Sequence, residues 1–139
     1  MSERLDDRSQ LRLSDEGAAD REYIMSTLHL KDLQDAYRLA VVIALAKNLT
    51  PAAEEVRRTT VYGSAVLDSS GALRAAVMAL RGDHGGRPYA LLERLAEAGL
   101  KDLSTHLRQG LPVREYLEPF VAAPDDDMGS GEGATTGDQ

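Results

Sequence analysis

The residues best suited to catalysis lie in one loop, Gly82-Asp83-His84-Gly85-Gly86-Arg87. Asp83 and His84 are a carboxylate and an imidazole that can pass a proton between them, and the glycines would let a ligand approach the backbone. The loop lacks the glycine-rich, lysine-containing pattern that cradles a phosphate, and no clear strand precedes it. We interpret it as a connection between two helices and keep an enzyme acting through Asp83 and His84 as a third alternative.

The other polar residues fit no catalytic or metal-binding pattern. The three histidines are His29, His84 and His106. They have none of the spacings of a metal site, and the chain contains no Cys to supply a thiolate. Gly63-Ser64-Ala65 lacks the second glycine of a nucleophile elbow, and Glu54 and Glu55 stand next to Arg57 and Arg58 as in a solvated ion-pair face. The sequence therefore predicts a protein that is not an enzyme and that uses no metal and no cofactor.

The net charge of −7 is concentrated at one end of the chain. Residues 124–139 contain five acidic residues and no basic residue, which leaves only −2 on residues 1–123. This negative net charge argues against non-specific binding to DNA but allows a local basic patch on the surface. Because Pro, Gly, Asp and Thr dominate the C-terminal end, residues 121–139 are predicted to form a disordered acidic tail, and residues 1–9 a mobile N-terminus.

The length and composition of the chain predict its class. Hydrophobic residues make up 42% of the 139 residues but aromatic residues only 4%, which is typical of an aliphatic core built on helices. No apolar run approaches the roughly 18 residues that span a membrane, and the first residues do not read as a signal peptide. We expect a cytoplasmic, mainly α protein with no membrane partner: a short N-terminal strand followed by about six helices, in a single domain over residues 10–120.

The first part of that domain reads as a strand–helix–helix block over residues 10–48. Gln10–Ser14 alternates polar residues with leucines, which favours a strand that turns its leucines to one face. Ser14 or Asp15 can cap the helix that follows, from about Gly17 to Leu28. The block therefore begins with a short strand whose polar side chains point away from the core.

The clearest helix of the chain completes the block at Asp32–Asn48, where Asp32 can cap its first turn. Its C-terminal half is apolar nearly all round, and a small domain on its own does not easily cover such a helix. We therefore predict self-association into a dimer or a tetramer. The predicted interface residues are Val41, Val42, Ile43 and Leu45.

The remaining elements are predicted from capping residues, from apolar residues at helical spacing, and from the Gly and Pro residues that interrupt helices. These are a short helix after Thr50, a strand or extended crossing over 59–67, and helices over 70–81, 88–98, 100–109 and 112–117. Gly99 is expected to end the helix that Pro88 opens, because glycine commonly follows the last turn of a helix.

The order of elements over residues 8–48 resembles that of the ribbon-helix-helix DNA-binding proteins. The second helix carries the pattern Asp35-Ala36-Tyr37-Arg38-Leu39-Ala40 followed by aliphatic residues, which is similar to the second helix of that family. In the family, two short strands pair across a dimer, and their outward side chains enter the major groove of DNA. The resemblance therefore implies that the N-terminal strand reads DNA.

The resemblance also implies which residues would contact DNA. Gln10 and Arg12 would read bases, with Arg12 forked onto guanine and Gln10 onto adenine. Arg8 would contact the phosphate backbone. Lys31 lies in the turn before the second helix, where the family binds phosphate, and is the fourth candidate DNA contact.

A second, looser resemblance lies in the C-terminal half. Thr105-His106-Leu107-Arg108-Gln109-Gly110-Leu111, followed by Tyr116-Leu117, is similar to a segment of the small E subunit of bacterial DNA-sulfur-modification systems. That family is non-enzymatic, largely helical and oligomeric, and acts beside larger enzymes on DNA. The function expected is therefore a non-catalytic, homo-oligomeric accessory or adaptor protein of a bacterial DNA modification or defence system. It would have a larger protein partner and weak DNA binding at most. The alternative is a ribbon-helix-helix transcriptional regulator.

Overall fold

The computed structural model of the chain describes residues 10–53, 57, 59–82, 84–116 and 118. The N-terminal residues 1–9 and the acidic residues 121–139, for which disorder was predicted, lie outside the described residues. So do Glu54, Glu55, Arg58 and Asp83.

Helices dominate the described residues, and the prediction of a mainly α fold with a short N-terminal strand is confirmed. The elements in chain order are β1 (Gln10–Leu13), α1 (Asp15–Leu28), α2 (Leu33–Ala46), β2 (Thr59–Gly63), α3 (Ser64–Leu67), α4 (Ala72–Arg81), a 3-10 turn (His84–Gly86) and α5 (Pro88–Arg108).

The two strands form an antiparallel pair within the chain. Gln10 lies opposite Gly63, and Leu13 lies opposite Thr59. The register shifts after Leu11, so that β2 carries one extra residue and the ladder bulges there. The weak mid-chain strand of the prediction is thus the partner of the N-terminal strand.

Helices α1 and α2 begin at the expected caps. Ser14 Oγ accepts a hydrogen bond of 3.0 Å from the N–H of Gly17, and the Asp32 side chain accepts one from Gln34. These bonds satisfy amides that a helix leaves unpaired in its first turn. His29 closes α1 in the left-handed conformation and turns the chain towards α2.

The core of residues 10–105 lies between the strand pair, α2 and α5. Its large, fully buried side chains include Leu11, Leu13, Ile24, Tyr37, Val41, Ile43, Leu67, Leu92, Leu95, Leu100 and Leu103. Aliphatic side chains outnumber aromatic ones in this core, as the composition predicted.

The prediction that Gly99 ends a helix is wrong. Residues 88–98 and 100–109 belong to the single helix α5, and Gly99 lies in its interior. A Cβ at Gly99 would overlap the backbone carbonyl of Ala40 in α2. The close approach of the two helix backbones therefore requires a glycine at this position. The neighbouring residues in the sequence do not reveal this contact.

Two further elements differ from the prediction. Pro51–Ala53, expected to open a helix, is not helical. The Ala52 N–H donates to the backbone carbonyl of Arg94 in α5, and Arg94 Nε donates to the Ala52 carbonyl. We refer to Pro51–Ala53, which these two hydrogen bonds hold across α5, as the strap. The predicted strand over 59–67 ends at Gly63, and Ser64–Leu67 forms the short helix α3.

The described residues divide into two compact units, one up to Thr105 and one from His106 onward. In the second unit, residues 113–116 are helical. The His106 ring contacts the carbonyl of Pro112 through Nε2 at 2.8 Å and packs on the ring of Tyr116 at 4.8 Å.

Candidate functional site

The outer face of β1 carries the two predicted base-reading residues. Gln10 and Arg12 are exposed, whereas Leu11 and Leu13 are fully buried. Lys31 is exposed in the turn between α1 and α2. Arg8, the fourth candidate, lies outside the described residues. The strand therefore presents two polar side chains outward, as the alternation predicted.

The edge of β1 that does not pair with β2 is occupied by two carboxylates of α5. Glu93 Oε2 accepts a hydrogen bond of 2.8 Å from the Arg12 N–H, and Glu97 Oε1 accepts one of 2.6 Å from the Ser14 N–H. The ribbon implied by the resemblance instead pairs this strand with its copy in a second chain. Here the strand finds both neighbours within its own chain.

Glu97 is the centre of a buried polar network. Besides the Ser14 amide, it accepts a bond of 2.8 Å from Ser14 Oγ and one of 3.1 Å from Arg57 Nε. Both partners of the Arg57–Glu97 ion pair are buried. The first turn of α1 packs directly on this carboxylate, since a Cβ at Gly17 would lie 2.5 Å from Glu97 Oε2. Arg57 also donates to the Ala53 carbonyl at 3.2 Å, so the network joins β1, α1 and the strap to α5.

The interface predicted on α2 is only partly available to another chain. Val41 and Ile43 are buried within the chain, so their expected place at an interface is corrected. Helix α5 has 21 residues, and its Gly99 packs closely against the α2 backbone at Ala40. Val42 remains exposed and Leu45 is half-buried.

Large apolar side chains are exposed on three neighbouring elements. Val42 of α2 is 51% exposed, Val66 of α3 60% and Leu80 of α4 63%. Helix α4 also exposes Ala72, Ala75 and Ala79. We refer to these six residues as the apolar face. Single exposed apolar residues are ordinary, but a group of them is typical of an interaction surface.

Hydrogen bonds hold the three elements of the apolar face together. Arg38 of α2 donates from Nε to the carbonyl of Leu67 at the end of α3, at 2.9 Å. Arg81 of α4 donates to the carbonyl of Leu49, just beyond α2, at 2.8 Å. These hydrogen bonds fix the backbones of α2, α3 and α4 relative to one another.

The remaining chemistry-bearing residues take part in local structure. Asp68 is buried and accepts hydrogen bonds from the amides of Leu73 and Arg74 and from the hydroxyl of Tyr89, each at 2.9 Å. His84 is exposed in the 3-10 turn, and its expected partner Asp83 lies outside the described residues. Among the residues that the structure describes, no three His, Asp or Glu side chains form a group that could hold a metal.

A cleft of about 500 Å³ lies between α1, the strap and α5. Its acidic lining residues are Glu16, Asp20, Glu97 and Asp102. Glu97 pairs with Arg57, and Asp102 pairs with Lys47. The apolar part of the lining comes from Leu49 and nearby alanines.

Two tyrosine hydroxyls are buried without a hydrogen-bond partner. The rings of Tyr37 and Tyr62 meet edge to face at 5.8 Å. Burial raises the pKa of Tyr37 well above its ordinary value, and the charges of Glu93 and Glu97 raise it further. Burial also raises the pKa of Tyr62 to about 12, although Arg21 acts to lower it. Both hydroxyls therefore keep their protons in neutral solution.

Sequence reasoning missed Glu93, Glu97 and Arg21, which are all buried. One signal was present: Glu93 and Glu97 are four residues apart on the same side of a helix as buried Leu100. Charged residues among apolar residues at helical spacing indicate a buried polar network, but this spacing does not identify the residues with which they pair.

Comparison with protein-family models, with curated proteins and with solved structures yields no match to this chain. Among the described residues, every helix is too short or too polar to cross a bilayer.

Proposed function

We propose that this chain is a non-catalytic accessory protein that assembles with a second copy of itself and docks a larger enzyme of a bacterial DNA modification or defence system in the cytoplasm. The observation that carries the proposal is the apolar face, where Val42, Val66 and Leu80 are each more than half exposed. Covering such side chains with protein contributes about 25 cal/mol per Å² of apolar area removed from water.

A second copy is the occupant that the charge of the chain favours. The full sequence carries a net charge of −7, so two copies repel each other as whole molecules. The apolar face is made of valine, leucine and alanine side chains, which carry no charge. Because a two-fold interface places the same patch on both partners, an uncharged patch is self-complementary.

The use of the buried polar residues supports a non-catalytic role. Glu93 and Glu97 hold the edge of β1, and Asp68 caps α4. General acid–base catalysis instead needs a carboxylate or imidazole that can reach a substrate. The association with a DNA system rests on the resemblance over 105–117 and on the strand–helix–helix block.

Light scattering after size-exclusion chromatography tests the self-association. We expect the wild type to elute as a dimer at about 100 μM, a concentration at which interfaces of micromolar affinity are filled. Leu80→Glu should shift it to a folded monomer, because a charge placed in an apolar interface costs several kcal/mol. Leu111→Glu is the matched control, since Leu111 is also an exposed leucine but lies outside the apolar face.

A wild-type monomer, or equal dissociation by both substitutions, would contradict the proposed interface. Capture of one larger bacterial protein by the wild type but not by Leu80→Glu would support the adaptor role. Loss of dimerisation together with retained capture would assign the partner to another surface.

The exposed Gln10 and Arg12 on β1 favour a second candidate function, DNA binding. A mobility-shift series at low and moderate salt tests it, since phosphate contacts make affinity fall steeply with salt. Arg12→Ala should remove about 1–3 kcal/mol of base-specific affinity. Arg74→Ala, at an exposed position of α4, is the control. If the wild type gives no shift at about 10 μM, in the range of ordinary non-specific binding, this candidate is removed.

A further inference from the structure

The cleft between α1, the strap and α5 is a concave surface distinct from the apolar face. Its volume of about 500 Å³ lies in the range of clefts that bind small organic molecules, and it is far larger than a single ion needs. All of its lining residues belong to the unit up to Thr105, so one compact part of the chain forms it. No residue of the apolar face lines it, so a ligand bound there is independent of the proposed self-association.

Hydrogen bonds fix the walls of the cleft relative to one another. The strap is held to α5 by the two bonds between Ala52 and Arg94, at 3.1 and 2.6 Å. The start of α1 is held by Glu97, which accepts from the Ser14 N–H at 2.6 Å and lies against Gly17. The cleft is therefore formed in the chain alone, and a ligand does not have to order its walls.

Hydrocarbon makes up one part of the lining. Leu49 and Ala52 are half-buried there, as is Ala98 of α5, and Ala53 is exposed on the strap. These side chains offer contact to an aliphatic group but no side-chain hydrogen bond. Ligand sites ordinarily combine such an apolar lining with a few polar groups that orient the ligand, so this lining favours a ligand with an apolar stem and a polar head.

The charged part of the lining is negative. It consists of four carboxylates and one ammonium group, those of Glu16, Asp20, Glu97, Asp102 and Lys101. Arg57 and Lys47 pair with two of the carboxylates, those of α5. Four negative and three positive charges leave this set of described groups with a net charge of −1. A ligand with one positive charge therefore neutralises it.

The placement of the carboxylates favours an organic cation over a metal ion. All four line one cleft, yet in the described part of the chain no three His, Asp or Glu side chains are grouped as metal ligands. A metal ion needs several ligands converging on one point. An ammonium group needs only one or two carboxylates, and its stem can lie on the neighbouring hydrocarbon.

We propose that the cleft binds an aliphatic ammonium group, with the ammonium at the carboxylates of α1 and the stem on Leu49 and the alanines of the strap and α5. Glu16 of α1 is exposed and Asp20 half-buried, so this wall is open to a cation from solution. A free alkylamine and a lysine side chain share this chemistry. The proposal goes beyond the accessory role, because it assigns a ligand class to a part of the surface that the role does not use.

Nuclear magnetic resonance titration of the isotope-labelled full chain tests the site at constant ionic strength. Butylammonium chloride represents a free amine, and Nα-acetyl-lysine methylamide represents a lysine side chain. We expect saturable shifts of the Ala52 and Ala98 amides, half complete at about 1–10 mM, as is ordinary for ligands of few atoms. Tighter binding of butylammonium would identify a free amine as the ligand, and tighter binding of the lysine derivative would identify a lysine side chain.

Two exposed charges of the cleft wall should change the affinity in opposite directions. Glu16→Gln should weaken binding about threefold, and Lys101→Gln should tighten it about threefold, as expected for exposed charge pairs. Asp15→Asn is the matched control, since Asp15 is exposed in the same turn of α1 but does not line the cleft. Because all three positions are exposed, the variants should fold as the wild type does.

Two further probes separate binding from general effects. Ammonium chloride has the charge without the stem, and butanol has the stem without the charge, so neither should give saturable shifts below about 50 mM. Equal shifts with ammonium chloride would show only a response to charge and would overturn the site. It would also be overturned by the absence of saturable shifts with both amines up to about 50 mM, or by equal affinities in Glu16→Gln, Lys101→Gln and Asp15→Asn.

Discussion

Ser14 and Glu97, which are 83 residues apart in the chain, meet through two hydrogen bonds. Glu97 accepts from the Ser14 amide at 2.6 Å and from Oγ at 2.8 Å, while the same Oγ caps α1 through Gly17. One carboxylate thus joins the end of β1 and the start of α1 to the middle of α5. Its ion pair with Arg57 adds the strap that follows α2, because Arg57 also donates to the Ala53 carbonyl at 3.2 Å.

Glu97→Gln should destabilise the protein by about 3–5 kcal/mol, because it removes the negative member of a buried ion pair. Urea unfolding followed by circular dichroism measures the change in the free energy of unfolding. Glu115→Gln, at an exposed position, should change it by less than about 0.5 kcal/mol. A similar small loss for both variants would show that the network contributes little to stability.

Gly99→Ala separates two explanations for this glycine by the sign of its effect. In a helix interior, alanine is favoured over glycine by about 1 kcal/mol, so the change would stabilise a free helix. Because the new Cβ would overlap the Ala40 carbonyl, we instead expect a loss of about 1–3 kcal/mol as the helices move apart. A rise in melting temperature would contradict the close contact between α2 and α5.

Neighbouring substitutions on α2 should have different consequences. Ile43→Glu places a charge in the core of the chain and should unfold it. Val42→Glu alters the apolar face and should give a folded monomer with unchanged helical content. Circular dichroism and light scattering on both variants distinguish the outcomes. If Val42→Glu also unfolds the chain, the exposed position assigned to Val42 is wrong.

The stability of the protein should fall in alkali through its two buried tyrosine hydroxyls. In the unfolded chain both tyrosines lose their protons near pH 10. In the folded chain the Tyr62 pKa is about 12, and that of Tyr37 is raised well above its ordinary value. Since both folded values are raised, their contribution is fully present below about pH 10 and is lost as the pH rises through the folded values.

Tyr37→Phe should therefore flatten the loss of stability above pH 10. At neutral pH it should cost little, because the hydroxyl has no hydrogen-bond partner to lose. Chemical unfolding at a series of alkaline pH values measures both effects. An unchanged alkaline slope in Tyr37→Phe would show that this hydroxyl is not the group that resists ionisation.

Local patterns in the sequence were sufficient for several elements. The alternation at Gln10–Leu13 predicted which side chains of β1 face outward, and Ser14 and Asp32 were recognised as helix caps. These features depend on residues within a few positions of one another. Periodicity and capping chemistry therefore determine them before the chain folds.

The tertiary structure alone decided how those elements meet. Gly99 reads as a helix end in the sequence, but the fold uses it to bring α5 against Ala40. Val41 and Val42 look equivalent in the apolar run, yet the folded chain buries the first and leaves the second exposed. Arg21 gives no sign in the sequence that it is buried on the inner face of α1. Each of these outcomes depends on contacts between distant segments, and a residue's own neighbours in the sequence carry no information about which distant surface will cover it.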